Sequence, residues 1–292
     1  MTTMPAASSR LSLYLKLIRF DRPIGTLLLL WPTLWGLWIA SDGRPDPAVL
    51  AVFVAGTFLM RSAGCAINDF ADRDVDPRVA RTAGRPLAAR LIAPREALLV
   101  AAALALTAFA LAALTLNRTS LQLSIPALLL AVSYPYAKRW FVLPQAYLGI
   151  AFGFGIPMAF AAVQGAVPVL AWWLLLANAC WTIAYDTEYA MVDREDDRKI
   201  GIKTAALLFG AWDVAMVMLC YLLSLVTLAG IGRMAGMGGA YWLGLAAALA
   251  IALYHYTLIR RREPGACFRA FLHNNWYGAS VFAGIAADFA WR

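Results

Sequence analysis

A chain of 292 residues that is 62% hydrophobic and only 14% charged lies far from the roughly 25% charged residues of an average soluble domain, which excludes an ordinary water-soluble globule and makes lipid the natural solvent. The net charge of +8 would admit nucleic acid as a partner, but basic groups on a membrane protein gather at the cytoplasmic surface facing anionic lipid, so their positions along the chain decide. Four cysteines, Cys65, Cys180, Cys220 and Cys267, stand far apart with no CxxC pair and no His at ligand spacing, as buried reduced thiols do.

The first twenty residues mix basic and apolar positions without the continuous apolar core or cleavage site of a signal peptide, and read as a cytoplasmic amphipathic lead-in. Apolar stretches of the length a membrane helix needs then follow at about 23–41, 47–67, 96–116, 120–137, 143–163, 169–188, 210–231, 238–259 and 270–290. They predict an all-α polytopic membrane protein of nine transmembrane helices in a single domain spanning 1–292. Turn residues punctuate the breaks: SDGRPDP, LNRTS, QGAVP and RMAGMGG are short and weakly charged. With the N-terminus inside, only Arg44, Arg118, Arg233 and Arg292 of the 25 Lys and Arg residues fall outside, as the positive-inside rule requires. Basic charge spread over several cytoplasmic loops favours anionic lipid or a phosphorylated substrate over nucleic acid.

Ten of the 17 acidic residues sit in two short windows: Asp69, Asp72, Asp74 and Asp76 after the second stretch, and Asp186, Glu188, Asp193, Glu195, Asp196 and Asp197 after the sixth. Four spans separate the windows, and an even number returns the chain to the same face. Asn68, Asp72 and Asp76 recur every four residues, as do Tyr189, Asp193 and Asp197, a spacing that on a helix stacks carboxylates along one side. Like charges so placed repel, and a divalent cation removes the cost; oxygen-only donors without His or Cys select a hard ion such as magnesium, completed by substrate phosphates. Solvated loops in which acids merely balance arginines are the plainer alternative, against which stands the recurrence of the pattern at equivalent places. Cys65 and Cys180 each precede an acidic run, which suggests a parallel four-helix pseudo-repeat (about 23–137 and 143–259) followed by a ninth helix. Candidate cations for a diphosphate are Arg73, Arg78, Arg81, Arg85, Lys138, Arg139, Arg194, Arg198, Lys199 and Lys203, many of which the positive-inside bias alone would explain. His255 and His273 have no acidic neighbour at base-like spacing and read as structural.

The segments NDFADRDVD (68–76) and YDTEYAMVDREDD (185–197) resemble the two aspartate motifs of the UbiA-type intramembrane prenyltransferases. DRPIGTLLLLWPTLWGLW (21–38), RTAGRPLA (81–88), SYPYAKRW (133–140) and KIGIKTAALLFG (199–210) are similar to its 4-hydroxybenzoate polyprenyltransferase branch. The resemblance covers essentially the whole chain. It implies a nine-helix bundle around a central cavity, capped by cytoplasmic segments that bear the aspartates. It also implies that Asn68, Asp72, Asp76, Asp193 and Asp197 hold two Mg2+ ions bridging a polyprenyl diphosphate, with Asp69 and Asp186 as further motif positions. Tyr134 and Lys138, with Arg139 beside them, match the pair that contacts the diphosphate, and Arg19 or Arg22 the first helix's basic residue. Arg61 matches the arginine that meets the aromatic acid's carboxylate; it is the one arginine inside a predicted span, so it needs a partner on physical grounds too. The implied reaction is magnesium-dependent prenylation of 4-hydroxybenzoate at C3, a step of ubiquinone biosynthesis in the bacterial inner membrane, with no obligate protein partner. Another acceptor, such as a haem, a naphthoate or a homogentisate, or a cation-coupled transporter, are the alternative readings.

Overall fold

Four helices begin at a proline (Pro47, Pro94, Pro144 and Pro264), where a missing N–H costs nothing and φ is already helical. Other ends are set by capping side chains: Asp46 accepts from the Ala48 and Val49 amides (2.8 and 3.1 Å) and Asn117 from Ser120 (2.9 Å). Gly165 and Gly201 close two helices in the left-handed conformation. The computed structural model describes residues 9–79 and 81–292, apart from the side chains of Lys138, Arg139 and Ile200. The elements are α1 (Arg10–Leu17), α2 (Ile24–Ala40), α3 (Pro47–Asp72), a 3-10 turn (Asp76–Arg78), α4 (Pro94–Thr115), α5 (Arg118–Trp140), α6 (Pro144–Gly153), α7 (Gly155–Gln164), α8 (Val169–Val192), α9 (Arg194–Ile200), α10 (Ala205–Phe209), a second 3-10 turn (Gly210–Trp212), α11 (Asp213–Met234), α12 (Gly239–Ile259) and α13 (Pro264–Ala290), with no strand among the described residues.

Each predicted apolar stretch falls on a helix, the fifth on the consecutive pair α6 and α7. Among the described residues, six helical stretches are long and apolar enough to cross a membrane: Pro47–Asp72, Pro94–Thr115, Pro144–Gln164, Val169–Val192, Ala205–Met234 and Gly239–Ile259. α2 is apolar but only 17 residues long. Large apolar side chains point outward along the bundle, among them Leu99, Leu106, Leu114, Leu129 and Leu243. A soluble protein rarely exposes so much apolar surface, and this is an integral membrane protein whose lipid replaces water at that surface.

The interior is aromatic where helices stand apart and glycine-rich where they touch. Trp35, Trp181, Tyr185, Tyr221, Tyr241 and Tyr277 are fully buried, and Trp181 packs on Trp35 and Tyr277 with ring centroids 5.4 and 5.2 Å apart. At the α12–α13 crossing a Cβ on Gly244 would lie 2.7 Å from the Ser280 carbonyl oxygen and 2.8 Å from the Gly284 Cα, so small residues there let backbones approach. Contacts define two ends of the bundle. Gln164 donates to the Ala40 carbonyl, Asn117 to Ala161, and the Gly238 amide to Asp288 (3.0, 2.7 and 3.0 Å) at one end, which also carries Arg44, Arg118, Arg233 and Arg292. The ends of α3 and α8 meet at the opposite one.

Gly244→Ala drives a methyl into immovable backbone and is expected to lower thermal stability by about 1–3 kcal/mol. Gly230→Ala, where a Cβ meets nothing within 4 Å, should be neutral or stabilising because Ala is the better helix former by about 1 kcal/mol. Thermal denaturation in detergent, followed by tryptophan fluorescence, checks the opposite signs.

Candidate active site

α3 carries the first acidic group on its last turns and stops at Asp72, after which the Val75 amide bonds back to the Asp72 carbonyl at 2.8 Å and Pro77 lies in a 3-10 turn. Asn68, Asp69 and Asp72 are therefore helical, whereas Asp76 opens a 3-10 turn; the four-residue spacing does not run on as one helical stack. Asp76 returns toward the others through the turn, where the Thr82 hydroxyl donates to its carbonyl at 2.8 Å. Asp69 is almost completely buried, and Arg19 donates to both its oxygens (2.7 and 3.1 Å) while Arg85 Nη1 bridges Asp69 at 3.1 Å and Asp76 at 2.8 Å. Arg22 pairs instead with Asp21 at the exposed surface, so Arg19 is the basic residue before α2 that reaches the acidic end. Burial raises the Asp76 pKa, against the opposing effect of Arg85.

The second group is likewise broken: α8 ends at Val192, and Asp193 caps both it and α9. Arg81 grips Asp193 side-on, Nε at 2.9 and 3.0 Å and Nη2 at 2.5 Å, and its guanidinium lies 4.7 Å from the centre of the Tyr189 ring. Burial is the largest single influence and works against the charge on Arg81, but the Asp193 hydrogen bond and the charges of Tyr189, Asp193 and Asp197 together outweigh it and raise the pKa. Asp197 is within electrostatic reach of the same guanidinium, and Asp72 and Asp186, from α3 and α8, both act on Tyr134 of α5. The segment 81–85 thus joins the two acidic groups, Arg85 holding the first and Arg81 the second. Lys138 and Arg139 lie on α5, but their expected side-chain roles fall outside the described residues.

Deeper in α3, Arg61 stands two turns before Asn68. Its Nη1 donates to Cys65 Sγ, its Nε is buried with no partner among the described residues, and it lies within electrostatic reach of Tyr134 and Tyr185. The Tyr185 hydroxyl is also buried with no partner among the described residues. A half-buried guanidinium whose Nε has no partner among the described residues suits an anionic ligand.

Not every expected residue joins the site. Arg194, a candidate diphosphate cation, is committed to the buried Asp213 (2.7 Å) and the Gly210 carbonyl (2.7 Å), with Arg262 on the other side of Asp213. Arg198 and Lys199 make solvent-exposed pairs with Glu195 and Asp196, which contribute little. Glu188 is fully buried away from the other acids: Tyr221 and Asn274 donate to it at 3.0 and 2.8 Å, and the Tyr221 hydroxyl contacts His255, which contacts His273. Its place two residues from Asp186, about 200° around a helix, was the signal that it faces away.

Among the described residues no three His, Cys, Asp or Glu side chains converge as a self-sufficient metal cage. The donors are nevertheless all oxygen and are divided between two converging groups, which fits a magnesium ion that takes one or two carboxylates and completes its shell with water and substrate phosphate.

Fold and site define a polytopic helical membrane protein that gathers carboxylates and arginines at one end of its bundle, with an under-satisfied arginine two turns deeper. The sequence matches the UbiA prenyltransferase family over residues 29–277, and the chain belongs to that family. A protein of Azoarcus sp. named 4-hydroxybenzoate octaprenyltransferase is 62% identical over 282 residues, covering 97% of this chain and 98% of its own. A Ralstonia nicotianae protein of the same name is 60% identical over 292 residues, covering 100% of both. The apo structure of a UbiA homolog from Aeropyrum pernix K1 has a TM-score of 0.79 at 28% identity, over 90% of this chain and 97% of that one. A UbiA homolog from Archaeoglobus fulgidus bound to GPP and Mg2+ shares the fold, with a TM-score of 0.69 at 20% identity over 94% and 100% of the two chains.

Asp213→Asn separates scaffold from site: weakening a buried charged hydrogen-bond pair should lower stability by about 1–3 kcal/mol. Steady-state kinetics of the folded fraction should show unchanged KM values for both substrates.

Proposed function

We propose that this enzyme transfers a polyprenyl group from a polyprenyl diphosphate to C3 of 4-hydroxybenzoate, yielding a ubiquinone precursor. The observation that carries the reading is the arginine bridge: Arg85 on Asp69 and Asp76, and Arg81 on Asp193, 112 residues further along the chain, which bring the two acidic motifs onto one site. Relatives at 60–62% identity over 97–100% of the chain, named 4-hydroxybenzoate octaprenyltransferase, support the acceptor. The GPP and Mg2+ of the A. fulgidus protein support the donor and the metal.

Asn68, Asp72, Asp76, Asp193 and Asp197 would hold magnesium, whose chemistry is to neutralise the diphosphate as it becomes a leaving group. Arg19, Arg81 and Arg85, with Lys138 and Arg139 from α5 and Asp69 and Asp186 as their counter-charges, complete the diphosphate's surroundings. Tyr134 stands between this cluster and Arg61, which takes the acceptor's carboxylate and so fixes the ring against the prenyl C1. The allylic C–O bond breaks, C3 of the electron-rich ring attacks ortho to the hydroxyl, and loss of the C3 proton restores aromaticity. Aromatic side chains around the prenyl group exclude water, which would otherwise capture the cation.

The whole chain acts as one membrane domain of nine spans around a central cavity, α2, α5 and α13 joining the six longer ones, with the parallel four-helix pseudo-repeat relating the halves. The acidic end is cytoplasmic and the membrane is the bacterial inner one, because the basic residues concentrate at that end. A cation-coupled transporter fits less well, since ionisable groups on an ion pathway lie near the midplane and these lie at one end.

Incubating the purified protein with magnesium, a prenyl diphosphate and a panel of aromatic acids should give a prenylated product with 4-hydroxybenzoate by mass spectrometry. Asp72→Ala and Asp193→Ala should each cut turnover by about 100-fold or more, and chelation should abolish it. Ion flux in proteoliposomes with no product would overturn the reading. Losing a charged hydrogen bond at Arg61 should raise the KM for the aromatic acid by about 10–100-fold in Arg61→Ala, leaving the KM for the diphosphate unchanged.

A further inference from the structure

Gly25 lies in the first turn of α2, buried, directly against α3. Alanine is preferred over glycine within a helix by up to about 1 kcal/mol, so a glycine here needs a steric reason, and its surroundings supply one. A Cβ at this position would stand 2.5 Å from Arg61 Nε, 2.8 Å from Arg61 Cζ and closer still to Arg61 Nη2; the three nearest heavy atoms all belong to the one guanidinium. On its other edge the guanidinium donates through Nη1 to the buried Cys65 Sγ, one turn further along α3. The planar group is therefore seated between a bare α-carbon of α2 and a thiol of its own helix, with Nε unpartnered among the described residues.

We propose that Gly25 and Cys65 form a two-sided seat that sets the direction of the Arg61 guanidinium, making both positioning residues for the acceptor's carboxylate; this rests on the assignment of Arg61 to that carboxylate. The bare α-carbon lets the Nε–Nη2 edge of the guanidinium come up against the α2 backbone. A methyl group would push it away by about 1 Å to restore ordinary contact distance. Because the obstructing atoms are the tip of a flexible side chain, the fold absorbs the change while the aim of the arginine does not. A misplacement of about 1 Å at a positioning group costs as much as 100-fold.

Gly25→Ala is expected to raise the KM for the aromatic acid about 10–100-fold, to leave the KM for the prenyl diphosphate within about twofold and to leave the melting temperature nearly unchanged. In an Arg61→Ala background the same substitution should have no further effect, since there is no guanidinium left to displace. A wild-type acid KM in Gly25→Ala, or an effect that adds in full to that of Arg61→Ala, would overturn the proposal while leaving the role of Arg61 intact. An unchanged acid KM in Arg61→Ala would overturn both. Should Gly25→Ala not accumulate in membranes, Cys65→Ala tests the other wall by the same split between the two KM values, and an unchanged acid KM there counts against the seat.

Discussion

Mutual repulsion among buried carboxylates is the constraint on which this molecule is built. Asp69, Asp72 and Asp76 act on one another electrostatically at the end of α3, and α8, its cap and α9 add Asp186, Asp193 and Asp197. Charges brought together at the edge of a low-dielectric slab repel far more strongly than in water, so the arrangement holds only if cations are interleaved. Arg19, Arg81 and Arg85 do this from segments outside both helices. Guanidinium suits the role, because its fork pairs with carboxylate oxygens two at a time and stays charged when buried. The same geometry that quiets the repulsion gathers three guanidinium groups at one end of the bundle.

Elsewhere the interior follows the ordinary economy of a membrane protein. Glu188 is met by Tyr221 and Asn274, Trp181 donates to Asn274, and Asp213 sits between two arginines. Each such group would be costly in an apolar surround without its partner. Among the described residues five buried side-chain atoms have no partner, Asn178 Oδ1, Thr182 Oγ1, Arg194 Nε, Arg61 Nε and the Tyr185 hydroxyl, and the last two lie within electrostatic reach of one another, on α3 and α8. Unmet hydrogen-bonding capacity on two helices within such reach is what a site for a polar ligand leaves behind.

Much of this was legible in the residues. The apolar stretches foretold the helices, since lipid demands about twenty apolar residues per crossing, and the spacing of aspartates pointed to a shared site through parity alone. Other features were not legible. That α3 stops at Asp72 and α8 at Val192 breaks the four-residue stack, and the site is assembled by turns whose path depends on what packs against them. Arg194 looked like a diphosphate ligand from its place among acids, but Asp213, nineteen residues away, claims it. Gly25 gave no signal, because a glycine's meaning lies in what occupies the space where a side chain would have been.

Sequence by itself determined the solvent, the helical architecture, the family and the identity of the acidic and basic groups, because these follow from composition, periodicity and motif. Tertiary structure alone decided which arginine meets which aspartate, that Glu188 turns inward, and that Arg61 rests on Gly25. Those outcomes depend on helix rotation and on loop paths set by long-range packing, which residue spacing along one helix does not encode.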